Sequence, residues 1–101
     1  MAKDNKAHTA TANRIAERYG MTFNRGDGPD IQADGLIIEV ETTATLAAAI
    51  RGLQDLDGSR FVAVTNQEGV VEALKRARGT DIGVMDPQGN IVQQSDPPYG
   101  D

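Results

Sequence analysis

The sequence predicts a single α/β domain with a mixed central sheet flanked by helices. Apolar residues recur at helical spacing near the N-terminus. The dipeptide Asp34-Gly35 separates two short apolar runs, which is typical of a hairpin. The apolar run at residues 61–64 reads as a buried strand and is followed by a further helical pattern. Strands that alternate with helices favour the α/β class, and 101 residues correspond to one domain.

One helix and three strands are predicted in the first half of the chain. The helix spans residues 5–19, where apolar residues lie three or four positions apart and Gly20 follows as a stop signal. The strands are predicted at 21–24, 30–33 and 36–42, with turns at 25–28 and 34–35. The run Leu36-Ile37-Ile38 predicts that the third strand is buried on both faces before the acidic residues begin.

Two helices and three further strands are predicted in the second half. Thr43 is expected to cap a helix at 44–56, and a capping box from Thr65 to Glu68 opens another helix that ends near Arg78. The strands are predicted at 61–64, 82–85 and 90–93, the last two flanking a turn at 86–89. We expect residues 1–94 to form the domain and residues 95–101, which lack apolar periodicity, to form a disordered tail.

The composition excludes several classes of site. There are no cysteines, so disulfides and thiolate metal sites are excluded, and a metal must be bound by oxygen or by the single histidine. The net charge of −5 argues against non-specific electrostatic binding of nucleic acid, so a nuclease would need a local basic patch. Neither a membrane-spanning window nor a signal-like apolar run is found, which predicts a cytoplasmic protein without a membrane partner.

Three acidic residues have the layout of a metal site. Asp30 begins one predicted strand, and Glu39 and Glu41 lie two residues apart on the next, so the two glutamates point to the same face. Crowded carboxylates repel unless a cation or a proton neutralises them. In an alternative interpretation Asp30 is only a polar residue at a strand start, and the two glutamates form the solvated face of an edge strand.

The order of elements together with these acids resembles the PD-(D/E)xK superfamily of restriction-endonuclease-like nucleases. The resemblance covers about residues 5–93 and rests on the order helix, three strands, helix, strand, with Pro29-Asp30 on the second strand and Glu39-Val40-Glu41 on the third. It is closest to the small Holliday-junction-resolvase-like branch. It implies a restriction-endonuclease-like αβββαβ core, to which this chain adds a C-terminal helix and hairpin.

The resemblance also implies a metal site and a reaction. Asp30 matches the motif aspartate and Glu39 the (D/E) position, and together with the backbone carbonyl of Val40 they would hold Mg²⁺ or Mn²⁺. A cation held there would activate a water for attack on a DNA phosphodiester. Asp30, Glu39 and Glu41 are therefore the candidate catalytic residues.

Glu41 is the departure from the family pattern, which has lysine at this position. A carboxylate cannot stabilise developing negative charge as lysine does, so this chain carries an ExE variant of the ExK motif. Glu41 would instead act as a base toward the water or hold a second metal, or it marks a silenced site. Many members of the branch also carry a glutamate on the first helix, for which this sequence offers no clear equivalent. His8 is interpreted as a surface residue on a frayed first turn.

Two arginines are candidate nucleic-acid contacts. Arg25 lies in the glycine-rich turn next to Asp30 and is suited to contact a phosphate, and Arg51 on the second helix is a candidate for the vacant lysine role. Arg14 and Arg18, one turn apart on the first helix, are interpreted as solvated charges.

Two functions remain open at this point. One is a metal-dependent endonuclease that acts on DNA as a homodimer, with branched DNA as a candidate substrate. The other is a catalytically silenced module of the same fold that serves in dimerisation or as a scaffold, in keeping with the missing lysine and the net negative charge.

Overall fold

The computed structural model describes residues 6–24 and 28–95. In this part of the chain there are three α-helices and five strands: α1 Lys6–Arg18, β1 Ile31–Ala33, β2 Leu36–Glu41, α2 Leu46–Leu53, β3 Ser59–Val64, α3 Glu68–Ala77, β4 Gly83–Met85 and β5 Ile91–Gln93. A short 3₁₀ turn, Thr43–Thr45, precedes α2. The helix and strand order therefore agrees with the sequence prediction except in the segment before β1.

The strands form one mixed sheet in the order β1-β2-β3-β4-β5. The three inner strands β2, β3 and β4 are parallel, whereas β1 and β5 pair antiparallel at the two edges. The predicted fold class, α/β with a mixed central sheet flanked by helices, is confirmed.

Helices cover both faces of the sheet. On one face, α1 packs through Ala12, Ile15 and Ala16 onto a cluster that includes Ile38 and Val40 of β2. On the other face, α2 and α3 form a second apolar cluster that includes Ile37. Because side chains alternate along a strand, Glu39 and Glu41 share the side of Ile37, the α2 and α3 side. The second face thus becomes polar where β2 ends.

The strand predicted at residues 21–24 is reduced to a single antiparallel bridge between Phe23 and Ile31. Next to this bridge, the backbone N–H of Asn24 donates to the carbonyl of Asp30 at 2.6 Å. Phe23 itself is buried in the cluster under α1. The apolar side chain anchors this segment in the core, but β-pairing does not extend along it.

The predicted helix caps are wrong in detail. α2 begins at Leu46 after the 3₁₀ turn, and neither that turn nor the helix has a side-chain N-cap bond, so Thr43 does not cap it. At α3, the side-chain oxygen of Asn66 accepts the N–H of Gly69 at 2.8 Å. The asparagine therefore takes the role predicted for Thr65, since its side chain reaches the same exposed N–H groups.

α2 ends at Leu53, earlier than predicted, and Arg60 bonds the carbonyl groups at this end. This side chain extends from β3, is fully buried, and donates through Nη1 to the carbonyls of Leu53 at 3.1 Å and Leu56 at 3.0 Å. Its Nε donates to the carbonyl of Gly58 at 3.1 Å. Carbonyls at a helix end have no partner within the helix, so one guanidinium here satisfies several of them.

The end of the described chain is tied to the same region. The hydroxyl of Ser95 accepts the backbone N–H of Arg60 at 2.9 Å and donates to the carbonyl of Asp81 at 3.1 Å. Ser95, placed in the predicted tail, is therefore bonded to the domain. The rest of that predicted tail lies outside the described residues.

Two arginines of α1 bind the turn between β4 and β5. Arg14 donates to the carbonyl of Pro87 at 2.7 Å, and Arg18 donates to the carbonyl of Gln88 at 2.9 Å. Tyr19 adds a bond from its hydroxyl to the carbonyl of Gly89 at 2.6 Å. Arg14 and Arg18 are both exposed, as their interpretation as solvated charges predicts, but the sequence did not indicate that they also bond α1 to the end of the sheet.

Candidate metal centre

The structure brings the three predicted acids together. Asp30, Glu39 and Glu41 each offer a carboxylate oxygen, and these oxygens lie within 4.8 Å of one another. Asp30 is fully buried, and both glutamates are partly buried. The three side chains come from the residue before β1 and from the C-terminal half of β2.

Strand register produces this arrangement. β1 and β2 pair so that Ile31 faces Ile38, which places Asp30 opposite Glu39. The backbone N–H of Asp30 points to Oε1 of Glu39 at 3.4 Å. β2 is an inner strand, paired with β1 on one side and β3 on the other. The alternative interpretation, in which the glutamates lie on a solvated edge strand, is therefore wrong.

Val40 lies on the edge of β2 that faces Asp30. Its backbone N–H donates to Oδ2 of Asp30 at 2.9 Å. In an extended strand the N–H and C=O of one residue point to the same edge, so the Val40 carbonyl is directed to this side as well. If the pairing of Ile31 with Ile38 is extended by two residues, Pro29 lies opposite Val40. Proline has no N–H, so it cannot donate a hydrogen bond to the Val40 carbonyl.

His8 belongs to this site, and its interpretation as a surface residue is wrong. The residue is buried at 4% exposure, and Nε2 lies 3.1 Å from Oδ2 of Asp30. The imidazole packs against Phe23 with ring centroids 5.7 Å apart. One signal in the sequence points to this position, because His8 lies four and seven residues before Ala12 and Ile15 and so shares their buried helix face.

Glu39 has a strongly perturbed acidity. Its pKa is raised from 4.5 to about 8, first by burial, then by the charge and hydrogen bonding of Asp30 and by the charge of Glu41. Two neighbouring carboxylates in a poorly solvated place cannot both ionise at low cost. Without a cation, the Asp30–Glu39 pair therefore keeps a proton near neutral pH, and a divalent cation bound there would displace it.

This shift predicts how stability depends on pH. Folded Glu39 holds its proton up to about pH 8, whereas the unfolded chain releases it near 4.5. The stabilising contribution is therefore complete below about pH 4.5 and is lost as the pH rises through about 8. We expect the unfolding free energy of the wild type, relative to Glu39→Gln, to fall across this interval.

Urea denaturation of both proteins in EDTA measures this difference. EDTA removes bound divalent cations, and the glutamine side chain approximates the protonated acid without titrating. A difference that stays constant or increases with pH would contradict the assignment of the raised pKa to Glu39.

Of the two predicted basic contacts, the structure describes only Arg51. Arg51 is exposed on α2 and, within the described ranges, makes no hydrogen bond or ion pair with them. Arg25 lies outside the described residues. A basic side chain in the vacant lysine role is therefore not identified in the part of the chain that the structure describes.

The donor set suits a hard divalent cation. Carboxylate oxygens and a backbone carbonyl are ligands that Mg²⁺ and Mn²⁺ accept. The buried Asp30 and the high pKa of Glu39 show a local excess of acid groups that a cation would neutralise. The residues present therefore fit such an ion.

Comparison with known proteins adds no assignment. No family model, curated protein or solved structure matches this chain. Among residues 6–24 and 28–95, the longest helix has 13 residues, and none has the length and apolar character needed to cross a membrane.

Proposed function

We propose that the chain is a metal-dependent phosphodiesterase that hydrolyses DNA, with Asp30, Glu39 and the Val40 carbonyl as ligands of Mg²⁺ or Mn²⁺. The observation that carries the proposal is the fully buried Asp30 carboxylate beside the partly buried Glu39. Burying two adjacent acids is costly in the absence of a neutralising partner. A catalytic cation accounts for the retention of Asp30 just before β1 and of Glu39 on the inner strand β2.

The proposal also draws on the strand arrangement, which is consistent with the α/β core that the resemblance implies. β1 runs antiparallel to β2, and β2 is followed by parallel strands β3 and β4 after one helix each. Phe23 adds a single bridge on the outer side of β1. Asp30 and Glu39 lie beside each other, just before β1 and on β2. These are the positions that the motif assigns to the metal ligands.

Each acid has a proposed role. When bound, the cation lowers the pKa of a water and offsets negative charge at the scissile phosphate. Asp30 and Glu39 would hold the cation in place. Glu41, which lies on the same side of β2 as Glu39, would accept the proton of the attacking water. We further propose branched DNA as a substrate and a homodimer as the active form, by extension of the resemblance to junction-resolving nucleases.

A second candidate function is a silenced module that associates through the β5 edge. Ile91 and Val92 are 42% and 44% exposed on this edge strand, which carries no charged residue to discourage pairing. Net charge −5 also opposes DNA binding. If this second function holds, we expect a dimer in sedimentation that forms without a divalent cation and does not cleave DNA.

Cleavage assays on linear and branched DNA test the first proposal. We expect cleavage by the wild type only with Mg²⁺ or Mn²⁺, and a loss of at least about 100-fold in Asp30→Ala. Asp34→Asn is the matched control, because Asp34 is an exposed acid at φ 49° in the turn after β1, a conformation that asparagine tolerates. Cleavage that survives Asp30→Ala, or that needs no divalent cation, would exclude this function.

A further inference from the structure

His8 and Asp30 form a buried pair that ties α1 to the candidate metal centre. His8 Nε2 lies 3.1 Å from Asp30 Oδ2, and the two side chains are 5% and 0% exposed. Oδ2 of Asp30 already accepts the Val40 N–H, and we assign it as the acceptor in this contact too, with His8 donating through Nε2–H. The tautomer of the neutral imidazole is thereby determined by its partner.

Asp30 Oδ2 receives a second donor from β2. The Val40 backbone N–H lies 2.9 Å from the same oxygen that His8 approaches. Two donors from separate elements fix the rotation of the carboxylate group, and with it the position of Oδ1. The sheet fixes one of the donors, and α1 fixes the other.

The His8 ring is itself held in place. It packs on Phe23 with the two ring planes inclined by 58°. Phe23 bridges to Ile31, the residue directly after Asp30. The imidazole is therefore positioned from two sides, by its own helix and by a ring anchored to the strand that follows the aspartate.

We propose that His8 is a positioning residue that holds Asp30 in the orientation that binds the divalent cation. This inference rests on the metal centre of the proposed function, but it concerns a residue that the motif does not include. Groups that orient metal ligands typically change metal affinity by about 10- to 100-fold when they are removed. A merely structural histidine would change stability and leave the affinity of the folded protein unchanged.

Variants at His8 separate these roles through Mn²⁺ affinity, measured by calorimetry, and unfolding free energy, measured with urea. We expect His8→Leu to weaken Mn²⁺ binding by about 10- to 100-fold. His8→Gln, whose amide can donate from a similar position, should restore most of that affinity. Ala12→Gly on the same helix face is the control, because it should reduce stability and leave the affinity unchanged.

Two results would overturn the inference while leaving the metal centre intact. One is wild-type Mn²⁺ affinity in folded His8→Leu, and the other is an affinity in His8→Gln as weak as that in His8→Leu. Failure of the wild type itself to bind Mn²⁺ at millimolar concentration would instead remove the proposed function, and this inference with it.

Nitrogen NMR of the wild type provides a test that does not depend on any variant folding. The chain has one histidine, so the imidazole signals are assigned without ambiguity. We expect the neutral ring to carry its proton on Nε2 and its signals to shift on addition of Mg²⁺, saturating with the measured affinity. A proton on Nδ1, or signals that do not respond to a bound cation, would contradict the positioning role.

Discussion

Asp30→Ala should lower the affinity for Mn²⁺ by at least about 100-fold, because it removes a buried carboxylate ligand from the centre. The same change removes the acceptor that serves the Val40 N–H and His8. Calorimetric titration measures the affinity. Circular dichroism establishes that the variant is folded.

Asp30→Asn and Asp34→Asn complete this test. Asp30→Asn keeps the size of the side chain and one acceptor oxygen but removes the charge, so we expect a loss of affinity with a smaller loss of stability. Asp34→Asn removes the same charge from an exposed turn and should leave Mn²⁺ binding unchanged. Equal Mn²⁺ affinity in all three variants and the wild type would place any bound ion away from Asp30.

Arg60→Met should lower the free energy of unfolding by about 3 kcal/mol, because it removes the bonds of a buried guanidinium to several carbonyls near the end of α2. The ion pair with Asp81 contributes little to this value. Its N–O distance is 3.4 Å and the Asp81 side chain is 48% exposed, so solvent screens the interaction. Most of the loss comes from the bonds to the backbone.

Urea denaturation of Arg60→Met measures that loss, and Arg76→Met provides the control. Arg76 pairs with Glu72 one turn away on α3, and its side chain is 55% exposed. Its replacement should change stability by no more than about 0.5 kcal/mol. A loss below about 1 kcal/mol in Arg60→Met would show that water or a rearranged helix end replaces the guanidinium.

The sequence predicted those parts of the fold that depend on local patterns. Asp34-Gly35 indicated the hairpin because this turn demands positive φ, which both residues adopt. The acid cluster could be predicted for the same reason, since side chains alternate along β2 and Glu39 and Glu41 therefore lie on one side of the strand. Asp30 came from its place at the start of the preceding strand.

Features that depend on distant partners were missed. The bond between His8 and Asp30 joins residues 22 positions apart. A lone histidine on a helix gives no sign that its partner is a buried acid in a distant strand. Arg60 was not singled out in the sequence, because the carbonyl groups at the end of α2 that it bonds are brought to it only by the fold. In both cases tertiary contacts, rather than local propensity, determine the bonding partner of a buried polar side chain.

The predicted helix starts were wrong for a related reason. Thr43 and Thr65 both match cap patterns, yet a 3₁₀ turn precedes α2, and Asn66 makes the bond at α3. Several residues near a helix start compete for the same N–H groups, so the pattern finds the region more reliably than the residue.

The anomalous scattering of manganese in crystals soaked with Mn²⁺ tests the central claim most directly. The metal centre predicts one ion within about 2.2 Å of an oxygen from each of Asp30 and Glu39, with the Val40 carbonyl completing the protein ligands. Crystals of Asp30→Ala should lack this ion. An empty site in the wild type at millimolar Mn²⁺, or an ion bound elsewhere that persists in Asp30→Ala, would contradict the account.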